Sequence, residues 1–393
     1  MKEAYIVSAV RTPGCKRAKG AFKDTLPLDL LSFILKAAVD KVPRLDPNDI
    51  DDVMVGCAFP EAEQGLNIGR NAAKLAGFPD KVSGATVNRF CASGLEAIAD
   101  SAMRIITGWS DVTIGAGIES MTYVPMGGNL PRPYPDAEKM LIEQFISMGI
   151  TAENVANRYK VTRQQQDEFA LQSQLKAADA QKKGLFTEIV PTPATRFVQS
   201  DGTFKRDTFL QSLDDGVRAD TTLEGLAKLR PAFALNGTVT AGNSSQTTDG
   251  AAATVLMSGD KVKALGIKPI AKLKLFTTIG CRSDEMGVGP RYAIPKLLDK
   301  AGLTIDEIGA WEINEAFAAQ AVYCIRELGL EKYMDRININ GGAIALGHPL
   351  GCTGAKLCAT LLANMQARGA RFGVESMCIG GGMGAAALFE LCD

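Results

Sequence analysis

Residues 85–106 read ATVNRFCASGLEAIADSAMRII. The apolar run 85–90 predicts a strand, and Leu95, Ile98, Ala102 and Ile105 recur at helical spacing, so a strand feeds directly into an amphipathic helix over 91–106 with Cys91 at the junction. At a helix N-terminus the unsatisfied N–H groups and the helix dipole favour a thiolate, and a nearby imidazolium would lower the thiol pKa further. Ala92, Ser93 and Gly94 are small and leave room for a substrate carbonyl. The other reading of Cys91 is a buried cysteine packing as a small hydrophobe, the commoner fate of that residue.

Outward from this junction the same alternation continues. Apolar strands and amphipathic helices are predicted at 5–9, 28–39, 53–58, 68–76 and 112–116, and again at 272–276, 293–301, 310–314, 316–327, 354–367 and 372–378. This predicts an α/β fold in which helices cover a sheet, built as a pseudo-repeat of two halves. Between them, over about 121–240, Pro and Gly cluster in PMGGNLPRPYP (125–135) and polar residues dominate the following helices, which reads as an inserted lobe. Its longest helix is expected to begin at Thr162, with Gln165 completing a capping box, and to stop before Gly184.

Composition narrows the function. A 393-residue chain that is 46% hydrophobic and 22% charged can bury a large core in two or three lobes. Lys and Arg total 43 against 44 Asp and Glu, and the net charge of −1 offers no global attraction to nucleic acid or an acidic membrane surface, so a small-molecule partner is expected. No stretch is long and apolar enough for a membrane helix, and the N-terminus lacks the pattern of a secretory signal. Nine cysteines without regular spacing point to a reducing compartment rather than a disulfide framework. No Cys-x-x-Cys pair occurs and there is one histidine, so no metal site is expected.

That histidine, His348, lies in GGAIALGHPLGCTGAK (341–356), held between Gly347 and Pro349 in a glycine-rich loop ahead of a helix. An imidazole so placed can take a thiol proton or donate to a developing oxyanion; the alternative is a structural hydrogen bond. The loop fails as a phosphate cradle of the Walker type because Ala355 separates Gly354 from Lys356. A second thiol, Cys378, ends an apolar strand in VESMCIGGGMGAA (374–386), followed by glycines whose amides could form an oxyanion hole. Asn314 and Glu315 in WEINEAFAAQ (311–320) lie where a strand gives way to a helix, at the carboxyl edge at which α/β folds gather ligands; for Asn314 a helix cap is the alternative use.

Taken together, NRFCASGLEA (88–97), GNSSQTTDGAA (242–252), NEAFAAQA (314–321), GGAIALGHPLGCTGA (341–355) and SMCIGGGMGAA (376–386) resemble, in order and spacing, the signature segments of the thiolase family, over essentially the whole chain. The resemblance implies a thiolase fold of two similar βαβαβαββ halves in a five-layered αβαβα arrangement. It places the N-terminal half at 1–120 plus 241–268, an inserted loop domain that binds coenzyme A at 121–240, and the C-terminal half at 269–393. It implies Cys91 as nucleophile, His348 as its base and Cys378 as an acid/base thiol. One oxyanion hole would use His348 and a water held by Asn314, the other the backbone N–H groups of Cys91 and Gly380. Ser245 matches a residue touching the pantetheine arm, and Met286 one lining the acyl site.

Within the family, CKRAKGAFKDT (15–25), GVGPRYAIPKLL (287–298) and GHPLGCTGAK (347–356) resemble degradative 3-ketoacyl-CoA thiolases of fatty-acid β-oxidation, and Ser147 stands where the acetoacetyl-CoA type usually has histidine. The resemblance thus implies cleavage of 3-ketoacyl-CoA by coenzyme A, a substrate, with no cofactor. It also implies a homodimer or homotetramer, and association with β-oxidation hydratase and dehydrogenase subunits in some cases. Three other readings are an acetoacetyl-CoA thiolase condensing two acetyl-CoA, a decarboxylating β-ketoacyl synthase-like enzyme, and a non-catalytic acyl-CoA-binding protein. Cys378 argues against the synthase reading, since decarboxylation has no comparable need for a second thiol, and against the carrier, which has no use for both thiols. The C-terminal LCD is no peroxisomal signal and the first strand starts close to Met1, so a cytoplasmic enzyme is expected. Lys16, Arg17, Lys19 and Lys23 form a basic stretch read as a solvated loop.

Overall fold

Val, Ile and Ala dominate the strand-forming runs, and residues on both faces of these strands are buried, as expected where helices cover both sides of a sheet. The computed structural model describes residues 2–130, 142–200 and 202–392; residues 131–135 of the proline-rich segment lie outside them. The first half contains β1 (Ala4–Arg11), β2 (Cys15–Lys16), α1 (Pro27–Asp40), β3 (Asp52–Gly56), α2 (Ile68–Leu75), β4 (Ser83–Val87), α3 (Ser93–Ile106) and β5 (Val112–Ser120). There follow α4 (Met148–Arg158), α5 (Arg163–Lys183), the hairpin β6 (Thr192–Ser200) and β7 (Thr203–Gln211), and α6 (Leu223–Ala227). The chain then returns through β8 (Thr248–Ser258), α7 (Gly259–Leu265), β9 (Ala271–Gly280), α8 (Gly289–Ala301), β10 (Ile308–Ile313), α9 (Ala318–Glu327), α10 (Ala343–Leu346), α11 (Thr353–Arg368), β11 (Phe372–Ile379) and β12 (Met383–Leu391).

Nine of these strands form one path, β10-β11-β12-β9-β1-β8-β5-β3-β4, with β2 alongside β8. Parallel pairs lie toward its two ends, β3 with β4 and β5, and β10 with β11, while the centre is antiparallel. The two halves meet where Tyr5 and Ile6 of β1 pair with Lys272 and Ala271 of β9. One core lies between α1, α2 and the first half of the sheet, a second buries α3 and α11 between strands of both halves, and a third lies between α8, α9 and β10–β12. Helices and sheet therefore alternate in five layers, with α3 and α11 packed together in the middle. Each Leu or Ile fully buried in these layers contributes about 1.5–3 kcal/mol.

The capping expectation at the long helix holds in detail. Thr162 accepts from the Gln165 N–H, Gln165 reaches back to the Thr162 N–H, and Gly184 ends α5 in the left-handed conformation. Three expectations need correction. β4 ends at Val87 rather than at residue 90, and α3 begins at Ser93, so Cys91 sits in a short 3-10 turn ahead of the helix. The strand predicted at 112–116 continues to Ser120, because Gly117 packs without a side chain against the 351–352 backbone, where a Cβ would stand 2.7 Å from the Gly351 oxygen. β6, β7, β8 and β12 were not foreseen; β8 and β12 are so rich in small residues that they carry no period-two signal.

Candidate active site

β4 delivers the chain to a tight turn in which Phe90 takes φ +44°, an uncommon conformation for a non-glycine residue, and Cys91 follows it. The Asn88 side chain accepts from the Phe90 N–H at 2.8 Å, and Ser93 Oγ donates to the Phe90 carbonyl at 2.7 Å while accepting from the Arg89 N–H at 2.9 Å. This local network holds the thiol at the junction. Cys91 is 8% exposed, and the backbone N–H groups of Gly380 and of Cys91 itself face its sulfur. Burial nonetheless pushes the thiol pKa up to about 11, with the Gly380 amide acting in the opposite direction and Glu119 adding to the rise. The expectation that the junction favours the thiolate is thus corrected: desolvation outweighs the amides, and the resting group is a thiol in need of a base.

The candidate base is organised from the other half. Gly347, at φ +82°, packs against Thr248, whose Oγ1 would stand 2.2 Å from an added Cβ, and His348 follows with its N–H donating to the Gln246 carbonyl at 3.0 Å. Leu350, two residues on, packs against Cys91. On the ring, Nδ1 lies 2.5 Å from Thr353 Oγ1, and that hydroxyl donates to the Pro349 carbonyl at 3.2 Å. Thr353 therefore accepts from Nδ1–H, which leaves Nε2 unprotonated. Nε2 faces the Asn314 amide nitrogen at 3.5 Å. Burial, with Lys356 nearby, drives the imidazole pKa down to about 3, so the ring is neutral and able to accept a proton.

This depression carries a stability consequence. An unfolded imidazole titrates near 6.5, so between that value and about 3 the unfolded chain holds more protons than the folded one, and stability falls as pH falls across the window. His348→Asn should therefore lose melting temperature less steeply than the unaltered protein between these pH values. Thermal melts on both proteins read the difference, and parallel curves would refute it.

Asn314 follows β10 and is held by its N–H donating to the Ser376 carbonyl at 2.9 Å. It does not cap α9, which starts after Phe317; its Oδ1 is buried without a partner and is free to bind a water or substrate atom. Glu315 instead ties the scaffold, accepting from Ser173 Oγ at 2.6 Å, Asn338 Nδ2 at 2.8 Å and the Ile344 N–H at 3.2 Å. Cys378, near the end of β11, is fully buried beside Met286, Met148, Ala316 and Phe317, lies within electrostatic reach of Cys91, and is held well above the ordinary thiol range by burial. Gly380 lies against Phe90 and Met148. Ser245 is half-buried on the segment that bridges Phe317 through Ser244 and His348 through Thr247.

Gly380 thus faces Cys91, Cys378 lies within electrostatic reach of Cys91 and packs with Met286, Asn314 faces His348, and Ser245 lies on the segment paired to both Phe317 and His348. In the basic stretch Arg17 and Lys19 are exposed and Lys23 pairs with Asp24, while the Arg17 N–H donates to the Thr247 carbonyl at 3.0 Å. Three residues escaped the sequence reading. Thr353 orients the imidazole, and its signal was its position five residues after His348 at the start of a helix. Glu119, buried at the end of β5, accepts from the N–H groups of Ala58 and Gly351, each at 2.8 Å, and so fastens the histidine loop to the first half; a charged residue ending an apolar strand was the visible cue. Gln320 touches the Cys378 sulfur.

A layered α/β fold with thiols, an imidazole and an amide gathered at its strand ends is the arrangement of a thiol-dependent group-transfer enzyme. Residues 4–260 match the family model described as thiolase, N-terminal domain, and residues 267–391 match thiolase, C-terminal domain. A 3-ketoacyl-CoA thiolase of Bacillus subtilis is 50% identical over all of both chains. The dimeric peroxisomal thiolase of Saccharomyces cerevisiae superposes with a TM-score of 0.88 at 40% identity, covering 100% of this chain and 98% of the other. For an acetyl-CoA acetyltransferase of Bacillus anthracis the TM-score is 0.89 at 37% identity, with 100% and 99% covered. The chain belongs to the thiolase family, and its fold is the thiolase fold. No helix among the described residues is long and apolar enough to cross a membrane.

Proposed function

We propose that the protein cleaves 3-ketoacyl-CoA with coenzyme A to acetyl-CoA and an acyl-CoA two carbons shorter, as an acyltransferase of fatty-acid β-oxidation. The observation that carries this reading is a pair of buried thiols within electrostatic reach of each other, together with a neutral imidazole whose Nε2 is unprotonated and faces the Asn314 amide. His348 takes the Cys91 proton, and the thiolate attacks the 3-keto carbon. The oxyanion formed there is met by the backbone N–H groups of Cys91 and Gly380. Collapse breaks the bond between the α and β carbons and releases the acetyl-CoA enolate, whose oxygen is stabilised by His348 and a water on the free Asn314 oxygen. Cys378 protonates the enolate carbon and then takes a proton from incoming coenzyme A, whose sulfur displaces the acyl group from Cys91. The thioester itself is the electron sink, so the reaction uses no cofactor beyond coenzyme A as substrate.

Residues 1–120 with 241–268, and 269–393, serve as the two thiolase halves, and 121–240 as the loop domain that receives coenzyme A, with Ser245 beside its pantetheine arm and Met286 beside the acyl chain. The enzyme works in the cytoplasm as a homodimer or homotetramer, a reading supported by the bacterial relative and by the dimeric neighbour. Purified protein given 3-ketoacyl-CoA of increasing length and coenzyme A should release acetyl-CoA at every length, including chains beyond four carbons. Turnover of acetoacetyl-CoA alone would overturn the degradative assignment, and absence of cleavage the activity.

A further inference from the structure

The Cys378 sulfur has apolar neighbours on most sides, and the side chain that hydrogen-bonds it comes from α9: Sγ–H donates to Gln320 Oε1 at 3.5 Å. Gln320 is fully buried, and its Nε2 has no partner. Leaving an amide N–H₂ unpaired in the interior is costly, so its presence calls for a use. Gly287 helps to set the position, because a Cβ there would stand 2.7 Å from the Gln320 Cβ.

We propose that Gln320 is a positioning residue for Cys378 that matches both protonation states of its sulfur. The inference rests on the acid/base role given to Cys378 above. In each turnover the S–H bond breaks as a C–H bond forms on the enolate carbon, and the sulfur is left as a thiolate until it takes the proton of incoming coenzyme A. The thiol needs an acceptor and the thiolate a donor. A terminal amide offers both at one position, since its last torsion has two nearly equivalent settings half a turn apart. With Oε1 toward the sulfur it holds the S–H; turned over, it presents the unpartnered Nε2–H₂ to the thiolate in a site where other donors are scarce.

Solvent deuterium entering the methyl group of acetyl-CoA reports this proton transfer. Acetylation of Cys91 by acetyl-CoA reports the other half of the chemistry, and it leans less on Cys378 because a coenzyme A thiolate, unlike an enolate, is a stable leaving group near neutral pH. Gln320→Met, with Gln320→Leu in reserve should the first not fold, is expected to slow deuterium entry about ten- to a hundredfold, the range for one hydrogen bond to a charged group. Acetyl-Cys91 formation, followed by mass spectrometry, should stay within about threefold of the unaltered protein, since Cys91 and its base are unchanged. Exchange at the unaltered rate, or a parallel fall in both readouts, would overturn the proposal. Cys378→Ala run alongside separates the two ideas: if it still exchanges deuterium, the role of Cys378 itself is wrong, whereas loss in Cys378→Ala with none in the Gln320 variants sinks only the inference about Gln320.

Discussion

Cys91→Ala should abolish thiolysis, with kcat falling on the order of 10⁴-fold or more, the scale seen when a covalent nucleophile is removed from an organised site. The reason lies in the number of bonds that depend on this one sulfur. Without it no acyl-enzyme forms, and coenzyme A would have to attack the 3-keto carbon directly, with no group placed to hold the acyl fragment between the two steps. Little stability should be lost, because the substitution removes one sulfur from a junction held by Asn88 and Ser93 rather than by the thiol. Denaturation midpoints and coenzyme A affinity should therefore stay close to those of the unaltered protein while turnover disappears. Trapping with 3-ketoacyl-CoA followed by peptide mass spectrometry should find the acyl adduct on residue 91 of the unaltered protein only. Substantial turnover in Cys91→Ala, or an adduct on Cys378 instead, would remove the basis of the assignment.

Cys378→Ala should lower kcat for thiolysis about 10²- to 10⁴-fold, the range of a positioned general acid or base. Its character should differ from that of the first variant. Acyl transfer from a simple acyl-CoA to Cys91 persists, since nucleophile, imidazole and the Gly380 amide are untouched, whereas cleavage of 3-ketoacyl-CoA stalls at the enolate. Burial holds the Cys378 thiol well above its ordinary range, so it is protonated in the resting enzyme and ready to act first as the acid. Single-turnover experiments that separate acylation from carbon–carbon cleavage make the distinction. Equal slowing of both would mean that Cys378 supports the pocket without moving the proton.

Much of the candidate site was legible in the sequence because its parts sit at strand-to-helix junctions with small or glycine neighbours, and such junctions announce themselves locally. The turn after β4 showed the thiol, the glycine-rich run before α11 showed the imidazole, and the end of β10 showed the amide. Local pattern also specified α5 to the residue at both ends, since a capping box and a terminal glycine act within a few residues of the chain. β8 and β12 were opaque for the opposite reason: with alanine and glycine on both faces their strand character comes from the neighbours they pair with.

What the sequence by itself determined was the alternation of elements, the α/β class, and the identity of the thiols, imidazole and amide, because these follow from periodicity and residue chemistry. What only the tertiary structure decided was the state of those groups. The Cys91 thiol is raised and the His348 ring is neutral because layers distant in sequence close over both of them. The imidazole tautomer follows from Thr353 turning back onto the ring, the seating of its loop from Glu119 reaching it out of the other half, and the setting of the second thiol from Gln320 on α9. Desolvation and hydrogen-bond partnership are properties of the packed molecule, set by contacts such as the Gly351–Glu119 bond between residues 232 apart along the chain, and no local pattern encodes them.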